Sequence, residues 1–183
     1  MYRIKVTIEG IAPLLYNRFT EKAQDDLDKR KTGGVMSQKQ RIAEALEKVY
    51  RNADGLFLPS HAVKECIVNG ASKASLKYGK KGLAPFLKAL IFMEDQELSL
   101  GKKEPDGMDE RIGRRPPRTG GACIIRRPMV NAGWKASFTL VVMDDRIPEE
   151  HIKEALGEGG LLVGLLDNRP EFGRFIIKEW RKV

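Results

Sequence analysis

The chain is poor in the residues that staple or anchor small proteins. Among its 183 residues are two cysteines, Cys66 and Cys123, in separate hydrophobic contexts and without CxxC spacing. That argues against a disulfide framework or a thiolate zinc site, and a reducing cytoplasm is the default expectation. No cofactor or metal is expected. No run approaches the roughly 18 to 20 apolar residues of a bilayer-spanning helix, and the chain opens on the charged alternation Met1-Tyr2-Arg3-Ile4-Lys5, so neither a signal peptide nor a membrane partner is expected. Only two histidines, His61 and His151, are available for proton transfer near neutrality.

What is present is charge. Lys and Arg number 33 against 25 Asp and Glu, a net +8, while 42% of residues are hydrophobic. Such a chain is long enough to bury a core and favours an anionic partner. We read residues 1–183 as one domain.

Tyr2, Ile4, Val6 and Ile8 alternate with Arg3, Lys5, Thr7 and Glu9, which predicts a half-buried strand. Residues 11–54 then form an insertion with one helix. Its charged stretch from Thr20 to Gly34 reads as a mobile excursion past Arg18, and Ser37, with Gln40 three residues on, caps a helix running to about Asn52 with Ile42, Ala45, Leu46 and Val49 inward. Ser60 is expected to cap a second helix, to about Leu76, with Val63, Ile67 and Ala71 or Ala74 inward and Lys64 outward. The apolar run from Leu90 to Met93 predicts a strand or a helix-to-strand transition.

Residues 101–121 carry prolines 105, 116 and 117 and many glycines, which predicts a loop and no regular element. Trp134, Ala136, Phe138, Leu140 and Val142 alternate as a strand. Pro148 opens a helix with Ile152, Ala155 and Leu156 inward, expected to stop at Gly157, Gly159 and Gly160, with His151 at its surface. A strand around Phe175 and Ile177 closes the chain. The order strand, helix, strand, strand, helix, strand predicts an α+β, ferredoxin-like βαββαβ sandwich (RRM-like), with insertions after the first strand and between the middle two. Helices on one side would leave Arg3, Lys5, Lys135, Ser137 and Thr139 on an open face, either a basic platform or an ordinary solvated surface.

Three segments could carry function. From Lys102 to Arg127, eight basic residues face four acidic ones, a net +4, and Arg111, Arg114, Arg115, Arg118, Arg126 and Arg127 follow the acids with no local counter-charge. Without an anionic partner they would repel, and arginine suits phosphates and bases. The glycine-rich stretch holding Gly160, Gly164 and Gly173, bracketed by Arg169 and Arg174, could approach a phosphate or could be a plain helix stop. It lacks the ending of a Walker loop, which disfavours nucleotide hydrolysis. Pro59-Ser60-His61-Ala62-Val63-Lys64 sets a histidine and a lysine at a helix start, where free amides favour anions.

Together, the opening strand with Gly10-Ile11-Ala12-Pro13-Leu14-Leu15, this helix start and the glycine loop before Gly173-Arg174-Phe175 resemble the RAMP superfamily, the ferredoxin-like RNA-binding proteins of CRISPR complexes. The resemblance is nearest to their backbone subunits, with Pro59 and Lys64 in register with the family's helix start and Ser60 and Glu65 standing where it has glycines. A divergent or phage-borne relative fits equally. The resemblance implies binding of single-stranded nucleic acid, RNA over DNA, alongside copies of the chain or other subunits. Two alternatives accompany it: a metal-independent endoribonuclease using His61 as base with Lys64 or Arg169 stabilising charge, and a self-assembling structural protein.

Overall fold

The structure, a computed structural model, describes residues 1–21, 23, 25, 37–114 and 121–183, with Arg114 by its backbone alone. Most of the excursion expected from Thr20 to Gly34 lies outside the described residues, as do Arg115 and Arg118.

Strand β1 (Tyr2–Gly10) forms as its alternation predicts, burying Ile4, Val6 and Ile8 and exposing Arg3 and Lys5. It pairs antiparallel with β11 (Lys135–Val142) on one side and β12 (Phe175–Lys182) on the other, and β7 (Ile91–Met93) adds antiparallel to β11. The register sets Ile4 opposite Leu140, Val6 opposite Phe138 and Ile8 opposite Ala136, so one face of the sheet is continuously apolar. The spatial order is β12-β1-β11-β7. Because the pairings are all antiparallel, β1 and β7 end, and β11 and β12 begin, at the same end of the sheet.

Helices α2 (Ser60–Lys73) and α4 (Glu149–Glu158), labelled with α1 (Gln38–Leu46) and α3 (Ala84–Leu90) in chain order, supply the second layer. Val63, Ile67, Ile152 and Leu156 join the strands' apolar residues in one core cluster. Each such fully buried side chain contributes roughly 1.5–3 kcal/mol. The two helices touch closely at Gly70, where a β-carbon would lie 2.3 Å from the Ala155 carbonyl oxygen. Among the described residues, no helix is long and apolar enough to cross a membrane.

Several expectations are corrected. Residues 101–121 are no simple loop: β9 (Gly107–Arg114) pairs with β10 (Ala122–Val130), from Gly107 opposite Met129 to Arg114 opposite Ala122. All three prolines flank the strand, so none breaks the ladder. Gly113 leaves room for the cross-strand Ile125, whose Cδ1 would otherwise lie 2.2 Å from a β-carbon. The glycines after α4 do not stop it. The helix passes through Gly157 and continues as a π turn (Gly159–Val163), ending at Gly164 with φ +75°. Gly159 and Gly160 lie against the Cys66 and Phe175 carbonyl oxygens, 2.6 and 2.4 Å from where a β-carbon would sit. The burial that this close approach permits outweighs the helix-propensity cost of about 1 kcal/mol per glycine.

Helix α2 starts on Pro59 as its cap, with no side-chain capping bond, and Ser60 is buried in its first turn. Helix α1 keeps the predicted Ser37–Gln40 capping box but ends at Leu46, because residues 51–52 pair as β3 with β4 (Gly55–Pro59). Its predicted stripe is only partly inward: Ala45 and Val49 are buried, while Ile42 and Leu46 are 38% and 41% exposed. The transition at Leu90 is present, α3 passing directly into β7.

Candidate nucleic-acid interface

The strand directions decide where the candidate segments emerge. Both insertions, after β1 and after β7, open at the end where β11 and β12 begin. The π turn and the following loop arrive there too. The hydrogen bonds join them: β2 (Leu14–Leu15) pairs with Val130 and Met129 at the hairpin base, and the Asp167 amide donates to the Leu15 carbonyl at 3.2 Å. The Gly173 amide donates to the Pro13 carbonyl at 2.8 Å, and the Arg18 amide to the Lys48 carbonyl at 2.9 Å.

Ion pairs reinforce this meeting point and overturn the expectation of unopposed arginines. Arg111 pairs with Asp109 at 3.1 Å and with Glu171 at 3.6 Å, and its guanidinium carbon stands 4.7 Å from the centre of the Phe172 ring. Arg126, with its side chain only 10% exposed, pairs with Glu110 at 2.6 Å. Arg127 pairs with Asp167 of the glycine-rich loop. The hairpin register makes the Arg126–Glu110 pair possible by placing the two opposite each other, while Asp109, opposite Arg127, pairs instead with Arg111 two residues along its own strand. Two of the acids that lie before the arginines in sequence, Asp109 and Glu110, thus supply counter-charges to Arg111 and Arg126.

Different cations remain open at this end. Arg18, Arg169 and Arg174 are exposed and have no ion pair among the described residues; Arg174 Nε donates to the Pro170 carbonyl at 2.7 Å. The glycines here serve contacts between chain segments. At Gly173, φ is +73° and a β-carbon would fall 2.0 Å from the Leu165 carbonyl oxygen; at Gly164 it would fall 2.6 Å from that of Phe172. The Gly164 amide donates to the Gly159 carbonyl at 2.9 Å.

The face of the four-stranded sheet turned from the helices carries Arg3, Lys5, Lys135, Lys178 and Arg181, but also Glu9, Glu94, Asp95 and Glu179. Arg3 pairs with Glu94 at 3.6 Å, and Glu9 lies 3.3 Å from Lys178 and 3.9 Å from Lys135. The face is nearly charge-balanced, a point missed by reading Arg3, Lys5 and Lys135 alone, because three of its four acids come from β12 and from the turn after β7. Lys64 stands 5.0 Å from the centre of the exposed Phe92 ring on the edge strand β7.

His61 is exposed in the first turn of α2 and has no hydrogen-bond or ion-pair partner among the described residues. His151 is half-buried rather than a surface residue, with Nδ1 buried and unpartnered. Burial pushes the Cys66 thiol up to about 12, which leaves it an inert core residue at neutral pH. Among the described residues no cluster of three or more metal-ligating side chains occurs.

No family model and no curated protein matches the chain. The fold does have a solved counterpart: a chain in the cryo-EM structure of the type III-B Cmr-beta bound to cognate target RNA matches with a TM-score of 0.58 over 100% of this chain, at 8% identity. The protein spans 60% of that chain's length. At this identity the likeness is one of fold, a mixed α and β architecture with antiparallel sheets.

Proposed function

We propose that the four-stranded sheet with α2 and α4 is a ferredoxin-like βαββαβ sandwich of the RAMP type, and that the protein binds single-stranded RNA as a subunit of a multi-subunit, CRISPR-type complex. The strand order β12-β1-β11-β7 supports the first part, being fourth, first, third and second among the sandwich strands. The observation that carries the second is the convergence at one sheet end of the hairpin, the residues 13–18 segment and the glycine-rich loop, with Arg18, Arg169 and Arg174 exposed there. The paired arginines Arg111, Arg126 and Arg127 hold this surface in shape. The open ones supply phosphate contacts, with Arg114 at the end of β9 and Arg115 and Arg118 beyond it as further candidates. RNA is favoured by the fold shared with a chain from an RNA-bound complex.

The test is a fluorescence-anisotropy titration of a labelled single-stranded RNA with the wild type and with Arg18, Arg169 and Arg174 replaced together by alanine. Loss of three phosphate contacts is expected to weaken binding by at least tenfold at moderate salt. Equal affinity of the two proteins would overturn the assignment of this surface.

A further inference from the structure

A groove of about 330 Å³ lies on the sheet face turned from the helices, with none of the paired hairpin arginines in its lining. Two rows of side chains build it. In the first, Lys5 stands on β1 with Arg181 opposite it on β12 and Thr139 opposite it on β11. In the second, two residues along, Thr7 has Glu179 and Ser137 as its neighbours. Lys5 and Arg181 set like charges side by side, an arrangement that costs free energy unless an anion is shared between them. Neither has an ion pair among the described residues, although Asp95 and Glu179 line the same groove.

Those carboxylates are held by other groups. The Asp95 Oδ2 accepts from the Thr139 amide at 3.0 Å, and the Glu179 Oε2 accepts from the Thr7 hydroxyl at 3.0 Å. The Thr7 and Ser137 hydroxyl oxygens are also 3.0 Å apart. Since the Thr7 proton goes to Glu179, Ser137 must donate to Thr7. The order of protons is then fixed, Ser137 to Thr7 to Glu179, and the row presents acceptors to the groove: the lone pairs of Ser137 and the second carboxylate oxygen of Glu179.

The groove therefore offers cationic donors in one row and oriented acceptors in the next, about 7 Å away at two residues' rise. A bare polyanion fits this poorly, because the carboxylates oppose it. A ligand carrying both an anionic phosphate and hydroxyl donors fits both rows. We propose that the groove takes one ribonucleotide unit, with Lys5 and Arg181 on its phosphate and Glu179, positioned by Thr7, accepting from a ribose hydroxyl. Its volume, at the low end for small-ligand sites, limits it to about one such unit. Where the ligand is a strand, this deepens the RNA reading above, since the 2′-hydroxyl is the group that distinguishes RNA from DNA.

The test uses the full chain with three probes: a single-stranded ribo-oligonucleotide, its deoxy counterpart and a free ribonucleoside 5′-monophosphate. With the strand as ligand, the wild type prefers the ribo form, Glu179→Ala cuts that preference about tenfold by weakening the ribo form alone, and Lys5→Ala with Arg181→Ala weakens both strands. With a free nucleotide as ligand, the monophosphate binds and both sets of variants weaken it. All these side chains are on the open face, so far-UV circular dichroism should be unchanged. A ribo-to-deoxy ratio unaffected by Glu179→Ala, together with no monophosphate binding that depends on Lys5 and Arg181, overturns the proposal. That result leaves the role of Arg18, Arg169 and Arg174 standing. A wild type that binds no strand at all overturns the RNA reading, and the monophosphate titration then decides the groove by itself.

Discussion

Gly173 shows how one local pattern admits two readings. A glycine before a strand, beside Arg169 and Arg174, has the same local pattern whether it admits a phosphate or another stretch of backbone. Its surroundings decide: φ is +73° and the Leu165 carbonyl occupies the space of a β-carbon. Left-handed backbone costs a non-glycine residue roughly 1–2 kcal/mol, and overpacking typically adds 1–3 kcal/mol. Gly173→Ala should therefore destabilise the protein by about 2–5 kcal/mol, seen as a lower urea midpoint in the absence of any nucleic acid. An unchanged midpoint would mean that the backbone here accommodates a β-carbon without cost. The arginines teach the same lesson in reverse. Arg127 finds its counter-charge on Asp167, 40 residues away, where counting charges in a local window cannot see it.

At the scale of elements, period-two alternation made β1 and β11 legible because each has one buried and one solvated face. The stripes of α2 and α4 were legible for the corresponding helical reason. The β9–β10 hairpin was not, since eight of residues 101–121 are glycine or proline while the strand itself occupies the proline-free part, and its pairing depends on a partner later in the chain. Helix α1 was legible at its start and not along its stripe. The Ser37 hydroxyl accepts from the Gln40 amide at 3.3 Å and the Gln40 side chain accepts from the Ser37 amide at 2.9 Å, a local device needing no tertiary partner. With Ile42 and Leu46 left partly exposed, α1 has little packing to fall back on. Removing an N-cap costs about 1 kcal/mol, so Ser37→Ala should speed amide hydrogen exchange in α1 about fivefold without changing exchange in β1 or β11. Equal exchange in α1 would mean that packing, and not the cap, holds it.

For the molecule as a whole, the excess of eight positive charges did not reveal its own arrangement. Many hairpin arginines are internally paired, the sheet face is nearly balanced, and the open cations at the insertion end are separated in sequence by some 150 residues. Antiparallel topology is what collects them, because it forces both insertions and the glycine-rich loop to leave the sheet at one end. The central claim is that this end binds the phosphates of a single strand, and the salt dependence of binding tests it most directly. With about five phosphates engaged, a plot of log affinity for single-stranded RNA against log salt concentration should fall with a slope of roughly −3 to −4, and the slope should become shallower by about 2 when Arg18, Arg169 and Arg174 are replaced by alanine. A wild-type affinity that does not change with salt, or a slope identical in the triple variant, would contradict it.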